Sequence, residues 1–208
     1  MFISFEGGEG GGKSTQVRTL ADRLRAAGHD VVTTREPGGS PGAEAIRDLL
    51  VNGEADRWSP ITETLLMYAS RRDHLERVIR PGLERGAVVL CDRFADSTRA
   101  YQGAAGGAPK GLIADLERDV LEGTLPELTL ILDLSAEEGL KRAHGRGGAE
   151  ARFEGKGQAF HERLRQAFAD IAAAEPERCV MIDAGQPLER VAADIWTAVS
   201  ERLGRIDG

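Results

Sequence analysis

The sequence predicts an α/β protein built on a doubly wound parallel sheet. Short apolar segments alternate with longer amphipathic segments along the 208 residues, and this alternation is typical of repeated βαβ units. Two of the apolar segments, 87–91 and 128–132, carry no charged residue, as expected of strands in the middle of a parallel sheet. A glycine-rich segment separates the first strand from the first helix, at the edge where such sheets bind ligands.

Each element follows from hydrophobic spacing and from the residues that flank it. The segments predicted to be strands are 2–5, 31–34, 87–91, 128–132 and 179–182. The segments predicted to be helices, from apolar residues three or four apart, are 13–27, 43–51, 61–79, 112–121, 136–143, 158–174 and 188–203. Proline and glycine make 35–42 a loop. We expect one domain over residues 1–208.

Composition and charge argue against several classes of protein. The formal net charge of −7 argues against a general nucleic-acid binder, and no apolar run approaches the ~18 residues of a membrane span. The N-terminus lacks a signal-peptide pattern. Cys91 and Cys179 lie in strand-like segments and are predicted to be buried and reduced, and the four histidines show no metal-ligand spacing. We therefore expect a cytoplasmic protein that binds neither nucleic acid nor membrane.

The glycine-rich segment is the strongest functional signal. Residues 7–14 fit the pattern G-x-x-x-x-G-K-[ST], with a strand before it and a helix after it. Glycine lets backbone N–H groups turn toward a polyphosphate, Lys13 can reach its β- and γ-phosphates, and the Ser14 hydroxyl can bind Mg²⁺. The alternative is a glycine-rich turn without function. The predicted nucleotide-binding residues are Gly7, Gly8, Glu9, Gly10, Gly11, Gly12, Lys13, Ser14 and Thr15.

Further segments extend the pattern beyond the phosphate loop. Residues 35–39 read R-E-P-G-G, residues 65–71 read L-L-M-Y-A-S-R, and residues 92–103 read D-R-F-A-D-S-T-R-A-Y-Q-G. In this order, and with 81–83 and 152–154, they resemble the bacterial thymidylate kinase family along essentially the whole chain. The resemblance implies a P-loop fold like that of nucleoside monophosphate kinases, a five-stranded sheet and a mobile lid. It also implies ATP- and Mg²⁺-dependent phosphorylation of dTMP to dTDP for dTTP synthesis, by a homodimer.

The resemblance also implies which residues bind the acceptor nucleotide. Arg35 and Arg93 resemble the clamp on the 5′-phosphate, a task that suits guanidinium groups; the alternative is a pair of surface arginines. Glu9 would contact the sugar 3′-hydroxyl, or else be a solvated loop carboxylate. The full set that the resemblance assigns to dTMP is Glu9, Arg35, Pro37, Met67, Arg71, Arg93, Ser97, Tyr101 and Gln102.

The base and sugar end of this set has one departure from the family. Arg71, Ser97 and Gln102 resemble the residues that read thymine, because a guanidinium and an amide can meet the carbonyl and N–H edge of a pyrimidine. Tyr101 would crowd the 2′ side of the ribose, or else pack in the core. The family commonly has a phenylalanine that stacks on the base where this chain has Met67, and methionine covers a ring with less shape definition.

Metal and lid residues complete the set. Asp92 would support Mg²⁺ with Ser14, or else order Arg93. The segment 144–157 is expected to close over ATP. The alternative for this segment is a flexible basic loop without function. Because Gly10 and Gly11 stand where some family members carry an arginine, the resemblance implies that the cation that stabilises the transition state comes from the lid. The residues assigned to catalysis are Lys13, Arg93, Arg146 and Arg142, where Arg142 is the second choice to Arg146 as the lid cation. Arg142 and Arg146 are also assigned to ATP binding. Arg152 is assigned to contact with phosphate or to bracing the lid.

Two other functions remain open on the sequence alone. One is another P-loop kinase, acting on dUMP, dCMP, AMP or a deoxynucleoside. The other is a nucleotide-dependent switch, which would leave Arg35 and Arg93 without a role.

Overall fold

A sheet of five strands runs through the computed structural model, which describes residues 1–54, 56–144 and 155–206. The strands are β1 (Phe2–Glu6), β2 (Val31–Arg35), β3 (Val88–Asp92), β4 (Leu128–Asp133) and β5 (Cys179–Asp183). Neighbouring strands are parallel, in the order β2-β3-β1-β4-β5. The predicted fold class is confirmed.

Helices cover both faces of this sheet. In the described ranges they are α1 (Lys13–Ala26), α2 (Pro41–Val51), α3 (Pro60–His74), α4 (Arg80–Glu84), α5 (Ala95–Thr98), α6 (Lys110–Leu121), α7 (Ala136–His144), α8 (Gln158–Ala174) and α9 (Leu188–Ile206). A π-helical turn, Leu75–Ile79, joins α3 to α4, and a second π-helical segment, Arg99–Ala105, follows α5. The sequence analysis predicted neither α5 nor either π-helical segment.

Proline and serine set the starts of two helices near the cleft described below. Pro41 and Pro60 occupy the first positions of α2 and α3, where a missing N–H costs no hydrogen bond. Ser59 caps α3, because its Oγ accepts from the backbone N–H of Thr62 at 3.2 Å. The predicted start of α2 at residue 43 was therefore two residues late.

The side chains of β1 alternate between two cores. Ile3 and Phe5 pack with the apolar face of α1 and with α9, whereas Phe2 packs with the π-helical turn after α3 and with Phe94. A strand places successive side chains on opposite faces, so Ser4 and Glu6 point to the Phe2 side. This side carries the polar residues described below.

The two cysteines are free and buried, as predicted. Burial raises the pKa of the Cys91 thiol well above its ordinary value and that of Cys179 to about 11. In the described ranges, no helix combines the length and the apolar character needed to cross a membrane.

Candidate active site

A cleft of about 440 Å³ opens beside the carboxyl ends of β1, β2 and β3. Its lining residues are Glu9, Glu36, Pro37, Val51, Met67, Arg71, Arg93, Phe94, Ser97, Thr98, Tyr101 and Gln102. Eight of the nine residues that the sequence analysis assigned to the acceptor are among them. Arg35 is not. It is half exposed and pairs with Glu44 at 3.1 Å.

The phosphate loop connects β1 to the N-terminus of α1. The Lys13 ammonium is buried and donates to the carbonyl oxygens of Gly7 at 3.2 Å and Gly8 at 2.7 Å. Glycine is required at Gly10, whose φ is +73° and where a Cβ would lie 2.2 Å from the carbonyl oxygen of Gly139 in α7. The loop is thus held against α7 while the positive end of the α1 dipole faces it.

Ser14 meets the end of β3. Its hydroxyl donates to Oδ2 of Asp92 at 2.5 Å. Hydroxyl and carboxylate oxygens are ligands that suit Mg²⁺, and a Mg²⁺ ion bound with a nucleotide needs only one or two carboxylates. This pair fits such an ion, although within the described ranges no cluster of three or more His, Cys, Asp or Glu residues could hold a metal by itself.

Arg93 joins the cleft to the phosphate loop. Its Nη1 donates to the Gly7 carbonyl oxygen at 2.9 Å, and its Nη2 donates to Oε1 of Glu9 at 2.9 Å. The Tyr101 hydroxyl donates to the same Glu9 oxygen at 2.6 Å, and the Arg93 guanidinium lies 4.8 Å from the Tyr101 ring centroid. Glu9 is therefore buried and bonded rather than solvated. Tyr101 both lines the cleft and packs against Phe160.

Arg71 crosses the floor of the cleft and is 2% exposed. Its Nε donates to Oε2 of Glu36 at 2.7 Å, and its Nη2 donates to the carbonyl oxygen of Phe94 at 3.0 Å and to Thr98 Oγ1 at 3.1 Å. Its Nη1 has no hydrogen-bond partner among the described residues. Three donors of the guanidinium fork are thus used in fixing its plane, while Nη1 is left for a ligand.

Glu36 holds Arg71 from below together with His74. Its Oε1 lies 2.9 Å from Nδ1 of His74, and Nε2 of His74 lies 2.6 Å from Oγ1 of Thr34. Burial acts to raise the pKa of Glu36, but the Arg71 charge and the His74 hydrogen bond outweigh it and leave the pKa below its ordinary value. The carboxylate therefore stays ionised beside the guanidinium.

The other two residues assigned to the base already have protein partners. The Ser97 hydroxyl donates to Oε2 of Glu6 at 2.5 Å, and the Gln102 amide donates to Oε1 of Glu63 at 2.8 Å. These acids hold Ser97 and Gln102 in fixed orientations.

The sequence analysis missed several residues that build the cleft. Glu36, Val51, Phe94 and Thr98 line it, and Glu6 lies behind it. The signal for Glu36 was available, because an acid between Arg35 and Pro37 in a predicted ligand-binding loop is as unusual as Glu9 in the phosphate loop. The others carry no such signal.

Of the arginines assigned to the lid, only Arg142 lies within the described residues. Arg142, in α7, donates from Nε to Glu138 Oε1 at 2.9 Å and from Nη1 to the carbonyl oxygen of Ala184 at 3.1 Å. It is not among the residues that line the cleft. Arg146 and Arg152 lie outside the described residues.

The sheet order, the phosphate loop on the central strand and the arginine-bearing cleft beside it define a P-loop kinase of the nucleoside monophosphate kinase type. A family model described as Thymidylate kinase matches residues 5–195. The chain belongs to the thymidylate kinase family. It is a phosphotransferase that converts dTMP to dTDP with ATP as the phosphate donor.

Individual relatives agree with the family model. A thymidylate kinase of Caulobacter vibrioides is 74% identical over 203 residues, which are 98% of this chain and 97% of that protein. A thymidylate kinase of Ruegeria pomeroyi is 53% identical over 99% of this chain and 97% of its own length. A crystal structure of thymidylate kinase from Ehrlichia chaffeensis superposes with a TM-score of 0.78 at 33% identity, covering 96% of this chain and 98% of that one.

Proposed function

We propose that dTMP binds in the cleft with its phosphate toward the phosphate loop, and that an oxygen of this phosphate attacks the γ-phosphorus of ATP in line. The observation that carries the proposal is the position of Arg93. Its guanidinium bonds both to the phosphate loop at Gly7 and to Glu9 in the cleft, so one cation stands where two phosphates would meet. Phosphoryl transfer depends on holding two such anions in line while charge spreads over the transferred group.

We assign the nucleoside contacts from the same geometry. Nη1 of Arg71 is the donor available to a base carbonyl, and Met67 covers the cleft nearby, with Pro37 lining it. Glu9 and Tyr101 would face the sugar. Ser97 and Gln102 support the base pocket through their acid partners. Arg35 would reach the phosphate only by leaving Glu44, which its half-exposed position allows.

The donor side carries the proposed metal site. Ser14 and Asp92 would hold Mg²⁺, which when bound offsets charge on the β- and γ-phosphates. Lys13 supplies a fixed charge at the same phosphates. The remaining residues assigned to ATP, Gly7–Gly12 and Thr15, would offer backbone and hydroxyl donors at the start of α1.

We propose a single kinase domain over residues 1–208, with a lid at about 144–157. Arg146 is the first choice for the cation that the lid supplies to the transition state, and Arg142 is the second. The ranking is supported by the contacts that hold Arg142 against Glu138 and Ala184. Arg146→Ala should lower kcat by about 10³-fold or more and change the KM for dTMP far less. Steady-state kinetics check this, with Arg142→Ala assayed beside it. A change confined to the KM for dTMP would move Arg146 to acceptor binding.

We also propose that the protein is a cytoplasmic homodimer. Exposed apolar side chains on α2 and α3 support a dimer interface on these helices. Leu49 is 40% exposed, and Ile61 and Leu65, one turn apart, are each 47% exposed. The buried free cysteines suit a reducing compartment. Sedimentation equilibrium tests the dimer, and a monomer at micromolar concentration would contradict it.

An acceptor panel tests the substrate assignment. ADP formation would be measured with ATP, Mg²⁺ and dTMP, dUMP, dCMP, AMP or thymidine, and again after removal of Mg²⁺ with a chelator. We expect the highest kcat/KM for dTMP and little turnover without the metal. A dTMP value no better than that for AMP or dCMP would refute the assignment, and acceptor-independent hydrolysis would favour a nucleotide switch.

The stereochemistry at the transferred phosphorus tests the in-line step. Direct transfer from a chiral γ-thiophosphate of ATP should invert the configuration, because one displacement takes place. Retention of configuration would indicate two displacements through a phosphorylated enzyme, and it would contradict direct transfer.

A further inference from the structure

Glu6 is a buried carboxylate to which the sequence analysis gave no role. It ends β1, and its side chain is fully buried on the sheet face below the cleft. Among the described residues its hydrogen bonds come from uncharged donors, the backbone N–H of Phe94 at 2.8 Å and the hydroxyl of Ser97 at 2.5 Å. Burying a carboxylate without a direct ion pair is costly, so its presence at this edge of the sheet requires an explanation.

Both donors follow Arg93 closely in the chain, Phe94 as the next residue and Ser97 one helical turn later. Arg93 itself has a φ of 70°, a left-handed conformation that is unfavourable for a residue with a side chain. The backbone N–H of the next residue, Phe94, donates the hydrogen bond that Glu6 accepts. The Ser97 oxygen, while donating to Glu6, also accepts from Nη1 of Arg93 at 3.3 Å. One carboxylate therefore fixes both the backbone of the turn and the guanidinium.

We infer that Glu6 is a positioning residue for the acceptor phosphate, which holds the Arg93 turn through Phe94 and Ser97 without touching the substrate. The inference rests on the proposed role of Arg93 as the phosphate clamp. Because Nη1 of Arg93 also donates to the Gly7 carbonyl oxygen at 2.9 Å, a displaced turn would move the guanidinium away from the phosphate loop. Small displacements of positioning groups lower rates strongly.

The ionisation of Glu6 matters for this role. Burial raises its pKa to about 7, with the nearby Asp96 charge adding to the rise and Ser97, Arg93 and Phe94 opposing it. The titratable and charged groups that face it are Arg71 on α3, Cys91 on β3, Arg93 and Asp96 after β3, and Cys179 on β5. An ionised carboxylate accepts from both donors with a full negative charge, whereas in a protonated carboxyl one oxygen becomes a donor and a much weaker acceptor. Acid should therefore loosen the turn.

The substitution Glu6→Gln tests the inference against a matched control. The control is Glu127→Gln, because Glu127 also accepts a β1 backbone N–H, that of Phe2 at 3.2 Å, but at the far end of the strand. We expect Glu6→Gln to raise the KM for dTMP by about tenfold to a hundredfold while the KM for ATP changes by less than about twofold. Glu127→Gln should change neither KM by more than about twofold.

The pH profile separates positioning from a merely structural role. In the wild type, kcat/KM for dTMP should fall below about pH 7, and in Glu6→Gln only the ionisation of the substrate phosphate, near pH 6, should remain. Equal profiles and an unchanged KM for dTMP would overturn the inference while leaving the proposed function intact. A wild type that does not phosphorylate dTMP would instead overturn the proposed function.

A second variant keeps the test decisive where Glu6→Gln does not fold. Ser97→Ala retains the carboxylate but removes a hydrogen bond that lowers the pKa of Glu6. The acid limb of kcat/KM for dTMP should therefore move to higher pH. A limb that stays in place or moves to lower pH would show that Glu6 does not control the turn.

Discussion

Glu36 holds two groups of α3, the guanidinium of Arg71 at 2.7 Å and the ring of His74 at 2.9 Å. All three side chains are nearly inaccessible to solvent. A buried arginine that loses its carboxylate partner keeps its charge in a medium that solvates it poorly. If Arg71 reads the base as proposed, the specificity of the cleft depends on an acid that is not itself assigned to the base.

Glu36→Gln should destabilise the protein by about 3–5 kcal/mol, because it leaves the Arg71 charge buried without a counter-charge. Urea unfolding monitored by circular dichroism measures the change. The control is Glu44→Gln, whose partner Arg35 is half exposed, and which should cost no more than about 1 kcal/mol. Equal losses in the two variants would contradict the assigned importance of the buried pair.

Lys13→Met should lower kcat by about 10²–10³-fold, because it removes a fixed charge at the donor phosphates. Its thermal unfolding should remain cooperative. Lys110→Met serves as the control, since Lys110 is exposed at the start of α6 and should leave kcat unchanged. Near-normal turnover in Lys13→Met would refute the proposed role.

Residue identities explain which part of the site could be predicted. Arg93 follows β3 directly and Lys13 follows β1 after the phosphate loop, so the edge of the sheet that carries them is known once the strands are known. The partners Glu6, Glu36 and Glu63 are different, because each bonds to a residue far away in the chain. The position of Glu36 in its loop is a signal for that residue, but a single sequence contains no signal for which residue an acid pairs with. Glu6, at the end of an apolar strand, resembles an ordinary strand terminus.

At the scale of elements, the contact between the phosphate loop and α7 is unusually close. A Cβ on Gly139 would lie 2.6 Å from the carbonyl oxygen of Glu9, and a Cβ on Gly10 would lie 2.2 Å from that of Gly139. Two glycines thus let a loop and a helix approach with no side chain between them. The position of the loop depends on this approach.

Gly139→Ala should therefore displace the phosphate loop, cost about 1–3 kcal/mol of stability and raise the KM for ATP. Differential scanning calorimetry and steady-state kinetics measure the two effects. Gly111→Ala makes the same change in α6, where a Cβ would meet nothing within 4 Å, and should stabilise the protein by up to about 1 kcal/mol. If Gly139→Ala had the same stability as Gly111→Ala and an unchanged KM for ATP, the phosphate loop would tolerate a Cβ at this contact.

Elements with regular apolar spacing were predictable, and those shaped by the cleft were not. The predicted strand segments 87–91 and 128–132 carry no charged residue, and α1 and α9 have one apolar face each. By contrast, α5 has four residues and the π-helical segment after it carries Tyr101 and Gln102. Tyr101 and Gln102 line the cleft, and the apolar residues of this segment do not recur with a period of 3.6 residues. The π-helical turn Leu75–Ile79 was hidden inside a predicted helix for a related reason, since spacing does not distinguish the two helix types.

At the scale of the whole molecule, Glu6 makes stability depend on pH. Its pKa is about 7 in the folded protein against an ordinary value of 4.5. Between these values the folded state binds a proton that the unfolded chain releases. The contribution of this group therefore favours folding at low pH and is lost as the pH rises through 7.

We expect the free energy of unfolding of the wild type to fall by about 3 kcal/mol relative to that of Glu6→Gln as the pH rises from near 5 to near 8. Urea titrations of both proteins at the two pH values measure the difference, in which the other titrating groups cancel. The same pH dependence in both proteins would contradict it.

The pairing of Phe5 with Asp92 places the ends of β1 and β3 side by side. The turns that carry Lys13 and Arg93 therefore leave the sheet from adjacent strands, whose separation of about 4.8 Å is set by main-chain pairing. The proposed nucleoside end of the cleft is built instead from α3, α5, the π-helical segment after α5 and the loop after β2. Under the proposed assignment, a substitution at Met67 would change which base is accepted and leave the alignment of the attacking oxygen with the γ-phosphorus unchanged.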